Sequence, residues 1–295
     1  MSLVVLSKVN LAQYTSWWIG GDADFFCLPK TIEELQEALL YAEQNKLPIT
    51  LLGGGSNVLI SDDGIAGLTI CMKYFSHATS KIENNKLHIE ALSGTTKSEL
   101  LKIFLKNKLA PALFLAGLPG DIGGGVVMNA GVAEAFAPRE FMEFVDEIQV
   151  MDFDGQLKNV FKQELKISYR HTDGWQPGII TRVKISWPMD IDETILQKVK
   201  QANLNRLSKQ PLDMPSCGSV FKNPPDHKAA QLIEKSGLKG FRIGDAQVSL
   251  KHANFVVNLD KATAKDTWEV IQHVRMTVLE KQNVSLTTEV VKLGR

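Results

Sequence analysis

Two glycine-rich stretches constrain this chain more than anything else in it. The first, Gly53-Gly54-Gly55-Ser56-Asn57, lies between the apolar runs 47–52 and 58–60. The second is Gly117-Leu118-Pro119-Gly120-Asp121-Ile122-Gly123-Gly124-Gly125-Val126-Val127-Met128-Asn129-Ala130-Gly131. Consecutive glycines permit sharp bends and close backbone approach. They also let successive N–H groups point inward as an anion-binding nest, for which a diphosphate is a common guest. Two widespread phosphate-binding designs do not fit. A P-loop needs GxxxxGK[ST], and no Lys follows either stretch. A dinucleotide fingerprint opens a helix after its strand, whereas GGGSN runs into the strand-like residues 58–60. A nucleotide bound here would sit on the loops of a different fold. Each glycine run taken alone also fits a tight turn. Ser56-Asn57 and Met128-Asn129 add the polar atoms that a ligand would use.

Periodicity organises the rest. Residues 31–45 read as a helix with Thr31 and Glu34 as a capping box and Ile32, Leu35, Ala38, Leu39 and Ala42 on one apolar face. Residues 96–108 read as a second, with Leu100, Leu101, Phe104 and Leu105 facing a core. Strands are expected at 49–52, 58–60, 68–72, 87–92, 147–153 and 179–187. Pro188 and the acidic residues 190–193 look like a boundary. Beyond it come a helix at 194–207, a long loop at 209–225, and a helix at 229–236 ended by Gly237. A strand at 254–259 and a helix at 263–282 with Thr263 as N-cap follow. The chain of 295 residues is long enough for one large or two ordinary domains. The expected class is α+β: a mixed N-terminal part carrying both glycine loops, then a smaller α/β part from about residue 188.

Formal net charge is zero, which argues against a basic face for nucleic acid or an acidic membrane. No apolar run approaches the roughly 18 residues of a bilayer span. The short apolar patch 3–6 is no signal peptide, so a cytoplasmic location is expected. Cys27, Cys71 and Cys217 are odd in number and widely spaced, with no metal-ligand spacing. Buried free thiols are expected, with no metal site. Trp17, Trp18 and Met276 read as packing residues.

In order along the chain stand Thr15 with Ile19-Gly20-Gly21, GGGSN, GLPGDIGGGVVMNAG and Ser168-Tyr169-Arg170. Cys217-Gly218-Ser219-Val220-Phe221-Lys222-Asn223-Pro224, Lys251-His252-Ala253-Asn254-Phe255 and Thr288-Glu289-Val290 follow. This pattern resembles the UDP-N-acetylenolpyruvoylglucosamine reductase family from about residue 14 to 294. The resemblance implies a vanillyl-alcohol-oxidase-type (PCMH-like) FAD-binding region over residues 1–187, in two α+β subdomains of about 1–73 and 74–187. It implies a substrate-binding domain over 188–295 whose C-terminal segment returns to the active site. The short spacer between Arg170 and Ser219 matches the subtype lacking an extra tyrosine-bearing loop. Residues 133–141, AEAFAPREF, depart from the family's Gly-Ala-aromatic-Gly continuation, and Asp121 stands where a hydroxyl residue is common.

The resemblance further implies a cytoplasmic reductase of peptidoglycan synthesis, with noncovalent FAD and NADPH as reductant. The substrate would be UDP-N-acetylglucosamine enolpyruvate and the product UDP-N-acetylmuramate. Hydride would pass from flavin N5 to C3 and a proton to C2. FAD contacts are expected from Gly53, Gly54, Gly55, Ser56, Asn57, Gly117, Pro119, Gly120, Gly123, Gly124, Met128, Asn129 and Gly131. Ser219 matches the proton donor, with Lys209 or Lys222 to lower its pKa. Arg170 matches a carboxylate-gripping arginine. Glu289 matches a glutamate most useful when protonated. Tyr169, Lys209, Asn223 and His252 match positions near substrate. Locally, Ser219, Arg170 and Glu289 also read as a turn serine, a surface arginine and a solvated glutamate. Two rivals stand beside this reading. One is a sugar or alcohol oxidase of the same FAD-binding fold; the absence of His in 53–57 favours noncovalent FAD. The other is a nucleotide-binding protein without catalysis.

Overall fold

The computed structural model describes residues 3–132 and 138–295; of AEAFAPREF, residues 133–137 lie outside the described residues. The strands before the second glycine stretch are β1 (Val5–Asn10), β2 (Asp22–Cys27), β3 (Ile49–Leu52), β4 (Val58–Ile60), β5 (Ile65–Cys71), β6 (Ala78–Glu83) and β7 (Lys86–Leu92). After it come β8 (Val145–Met151), β9 (Leu157–Phe161), β10 (Lys166–Ser168), β11 (His171–Asp173) and β12 (Ile179–Pro188). The last four are β13 (Arg242–Ile243), β14 (Ala246–Val248), β15 (Val256–Asn258) and β16 (Val291–Leu293). The helices are α1 (Ile32–Gln44), α2 (Lys97–Lys106), α3 (Pro111–Leu115), α4 (Ile122–Val127), α5 (Ile195–Lys209), α6 (Ala229–Lys235) and α7 (Ala264–Gln282).

The chain divides into two compact units. One holds residues 1–5, 27–54 and 69–205; the other holds 6–26, 55–68 and 206–295.

In the first unit an antiparallel sheet runs β6-β7-β12-β8-β9. β12 is its centre, with Ile185 opposite Ile89 on β7 and Val183 opposite Ile148 on β8. Those residues, with Ala91 and Val150, bury one face against Leu100 and Phe104 of α2 and Phe114 and Leu115 of α3. Phe104, Phe114 and Phe141 surround Phe144 with ring centroids 6.0, 5.7 and 4.8 Å away, an edge-on cluster that adds to simple area burial. Thr31 caps α1 by accepting the Glu34 N–H at 3.2 Å, and Thr96 caps α2 with a full capping box through Glu99.

In the second unit α6 and α7 pack on the three-stranded sheet β13-β14-β15. The core joins Val248, Val256, Ile233, Ile271, Val274 and Val278 to Trp17, Ile19 and Leu59 from early in the chain. β16 pairs in parallel with β4, Val291 beside Val58. The units part at residue 205 and not at 187: Trp17, Ile19 and Leu59, from the segments 6–26 and 55–68, are buried in one cluster with residues of 206–295.

Two packing expectations are corrected. Trp17 is buried, its Nε1–H donating to the Val256 carbonyl at 2.7 Å. Trp18, with φ +59°, is turned out and 69% exposed. Met276 is also exposed, because α7 buries Val270, Ile271, Val274 and Val278 on its other face. The three cysteines are free and buried. Burial pushes the Cys27 and Cys71 thiols up to about 12 and about 11, away from reactive thiolate. No helix among the described residues is long and apolar enough to cross a membrane.

Candidate active site

The boundary between the units falls inside GGGSN, between Gly54 and Gly55. On the first side, a Cβ at Gly53 would run into the Asp121 carboxylate, and one at Gly54 would lie 3.0 Å from Gly120 Cα. At Gly54 the two glycine stretches approach each other backbone to backbone, and at Gly53 the Asp121 side chain fills the space a Cβ would need. On the second side, Gly55 has φ +63° and a Cβ would overlap the Tyr14 carbonyl oxygen. Its own carbonyl accepts the Ser16 N–H at 3.0 Å. Asn57 ties the loop to the C-terminal segment. Its Nδ2–H donates to the Glu289 carbonyl at 3.0 Å, and its carbonyl accepts the Val291 N–H at 3.0 Å.

The second stretch is not all loop. Residues 122–127 form the short helix α4, capped by Asp121, whose Oδ1 accepts the Gly124 N–H at 2.6 Å. Three glycines make a poor helix; the cap and the burial of Ile122, Gly125 and Val126 hold it. Gly117 and Gly120 take φ +91° and +85° on its approach. The Gly123 N–H donates to the Ser93 carbonyl at 2.8 Å. Met128 is the C-cap of α4. Asn129 is fully buried: its Nδ2–H groups donate to Glu140 Oε2 at 2.7 Å and the Ser168 carbonyl at 3.0 Å, and its Oδ1 accepts the Met142 N–H at 3.2 Å. Asn129 therefore braces the loop from inside.

The amides of both stretches already meet an anion. The Gly54 N–H donates to Asp121 Oδ2 and the Gly124 N–H to Oδ1. Donors that converge on carboxylate oxygens suit the oxygens of a diphosphate equally, so the residues present fit the cofactor expected here.

Beneath them sits Lys97, 4% exposed, donating from Nζ to the Pro119 carbonyl at 2.8 Å. Burial pushes its ammonium down to about 8, and the Asp121 charge pulls it partway back. An unfolded Lys holds its proton to about 10.4. Between those values the unfolded chain binds more protons, so stability rises with pH across that window. The contribution is on the order of 3 kcal/mol. The Tm of the parent protein is expected to gain on that of Lys97→Met as pH goes from 7.5 to 10, measured by scanning calorimetry. Parallel curves would mean Lys97 is not charged and buried.

Arg170 sits at a hairpin tip. β10 and β11 pair with Ser168 opposite His171, leaving Tyr169 and Arg170 as the turn. Arg170 has φ +57°, a costly conformation for a non-glycine residue that persists only where the surroundings enforce it. Its Nη2–H donates to the Gly131 carbonyl at 2.8 Å, and Asn129 holds Ser168. A Cβ on Gly131 would come 2.6 Å from Arg170 Nη1. The guanidinium lies 4.8 Å from the exposed Tyr169 ring. The second glycine stretch thus positions the hairpin that carries Arg170.

In the second unit, the segments that carry Ser219 and Glu289, 70 residues apart in sequence, pair through their backbones. The Glu289 N–H donates to the Val220 carbonyl at 2.7 Å, and Phe221 bridges to Thr288. Asn254 locks the same segment: its carbonyl accepts the Val220 N–H at 2.9 Å, its Oδ1 the Phe221 N–H at 3.0 Å, and its Nδ2–H donates to the Phe221 carbonyl at 2.8 Å. Burial pushes the Cys217 thiol up. His252 is half-buried, with its ring nitrogen accepting the Asn254 N–H at 3.3 Å; burial, then the Lys239 charge, hold it below its usual value. Asn223 Oδ1 accepts the Ala229 N–H at 3.0 Å at the start of α6. Lys209 is the exposed last residue of α5, not part of the loop expected at 209–225, and Lys222 is half-buried beside Phe221.

Asp121, Lys97 and Asn254 were not among the sequence candidates. Asp121 carried a usable signal, an acidic N-cap before a short apolar segment. Lys97 and Asn254 carried none, since only distant segments bury them.

Residues 23–160 match the FAD binding domain family, and residues 210–293 match the C-terminal domain of UDP-N-acetylenolpyruvoylglucosamine reductase. The architecture is that of an FAD-dependent oxidoreductase. The chain is 42% identical to the UDP-N-acetylenolpyruvoylglucosamine reductase of Listeria monocytogenes serotype 4a, over 97% of this chain and 95% of that one. It is 38% identical to the Moorella thermoacetica enzyme of the same name, over 98% and 93%. The crystal structure of the Thermus caldophilus reductase matches with a TM-score of 0.78 and 31% identity, covering 99% of each chain. The chain belongs to the UDP-N-acetylenolpyruvoylglucosamine reductase family.

Proposed function

We propose that this protein reduces UDP-N-acetylglucosamine enolpyruvate to UDP-N-acetylmuramate in the cytoplasm, as a step of peptidoglycan synthesis. FAD, when bound, supplies the electron pair that NADPH has delivered to it. Gly53 to Asn57 and Gly117 to Gly131 hold its diphosphate through backbone N–H groups. The Arg170 guanidinium binds the planar enolpyruvyl carboxylate through two hydrogen bonds and stabilises the negative charge that builds there. Glu289, protonated, donates a hydrogen bond to the same developing charge. The Ser219 hydroxyl delivers the proton to C2, with Lys222 or Lys209 supplying the positive charge that makes a serine acidic enough. Tyr169, Asn223 and His252 line the substrate.

The observation that carries this assignment is the 2.7 Å bond from the Glu289 N–H to the Val220 carbonyl. It ties the segment that carries the glutamate to the residue after the serine and supports a shared role. The test is anaerobic: reduce the flavin with NADPH, add the enolpyruvyl substrate, and follow visible absorbance. The oxidised spectrum is expected to return without oxygen. A flavin that stays bleached until air is admitted would mean an oxidase instead.

A further inference from the structure

The Asp121 carboxylate occupies the donors that an anionic ligand would need. It is 5% exposed and accepts the N–H of Gly54 from one glycine stretch and of Gly124 from the other. Gly54 and Gly124 are themselves exposed residues on the two stretches. A diphosphate carries like charge, and two anions sharing one nest repel each other. The carboxylate has somewhere else to place its charge. Lys97, buried alongside, already senses the Asp121 charge and donates to Pro119, two residues before it.

We propose that Asp121 is a positioning residue that acts as an internal anion: it ties the two glycine stretches together, and the FAD diphosphate must displace it from Gly54, toward Lys97, to bind. This rests on the reading that these stretches hold the diphosphate. A cation below and an anion within the loops then hold the nest in shape for its ligand at the expense of affinity. Removing only the charge releases the Gly54 amide without removing the helix cap, since Asn caps as well as Asp.

The test uses deflavinated full-length protein. FAD binding is titrated by quenching of flavin fluorescence at fixed pH and ionic strength, with ADP as a flavin-free diphosphate probe. Asp121→Asn and Asp121→Ser are expected to bind both ligands ~10- to 100-fold more tightly than the parent. Asp121→Ser is also expected to lower the Tm of the deflavinated protein, because the bridge to Gly54 is lost. Folded variants that bind FAD and ADP no more tightly than the parent would overturn the proposal. If neither variant folds, Lys97→Met decides: an uncompensated carboxylate is expected to weaken FAD binding ~10-fold, and unchanged binding overturns the proposal. If FAD binds to none of the proteins, the diphosphate reading of the loops falls with it.

Discussion

Ser219→Ala is expected to leave reduction of the flavin by NADPH within about twofold of the parent rate, while slowing oxidation of the reduced flavin by substrate ~1,000-fold, the range of a lost general acid. Ser219 lies between two fixed points that do not use its side chain. On one side Gly218 takes φ +81°. On the other, Val220 is bonded to Asn254 through its N–H and to Glu289 through its carbonyl. Removing the hydroxyl therefore leaves the backbone where it is. What is lost is a proton source, and only the second half-reaction needs one. Anaerobic stopped-flow spectroscopy separates the two steps directly. An equal fall in both would show that Ser219 acts through cofactor placement and not as proton donor.

The elements that could be read from sequence are those whose cause is local. Thr31, Thr96 and Thr263 each announce a helix and each accepts the backbone N–H three residues on. The apolar spacing of α1 likewise survives, with Leu35, Ala38, Leu39 and Ala42 buried. Where a distant segment decides the outcome, local reading fails. Lys97 opens α2 on what looks like a solvated turn, yet the second glycine stretch closes over it. The triple glycine of α4 reads as loop because propensity opposes helix, and the Asp121 cap together with the burial of Ile122, Gly125 and Val126 outweighs it. The boundary expected at residue 187 follows composition, whereas Trp17, Ile19 and Leu59 cross the sequence to join the later core. Ser219, Arg170 and Glu289 are ordinary residues in isolation. They became candidates only through the ordered motifs around them, and the bond between Glu289 and Val220 is visible only in three dimensions.

Gly55→Ala should be the most damaging single-methyl change in the first glycine loop, and its comparison with Gly218→Ala isolates why. Both glycines have left-handed backbone, at φ +63° and +81°, so both alanines incur the ~1–2 kcal/mol of that conformation. At Gly218 nothing lies within 4 Å of the new Cβ, and the conformational cost is the whole cost. At Gly55 the Cβ overlaps the Tyr14 carbonyl oxygen and stands 2.9 Å from Thr15 Cα. Neither neighbour can yield cheaply. Thr15 accepts the Ile19 N–H on its Oγ1 and donates to the Ile19 carbonyl at 2.9 Å, and the Ser16 N–H is committed to Gly55 itself. The loop must therefore move, breaking the Ser16 bond and shifting Asn57 off the Glu289 carbonyl. Gly55→Ala is expected to lose at least ~3 kcal/mol of stability, in the range of severe backbone strain and overpacking, and to purify largely without flavin. Gly218→Ala is expected to lose ~1–2 kcal/mol and to keep its full flavin absorbance. Denaturant unfolding and the ratio of visible to ultraviolet absorbance read both quantities on the same samples. A Gly55→Ala protein with parental stability and a full complement of FAD would show that the loop relaxes freely, and its glycines would then need another explanation than close packing.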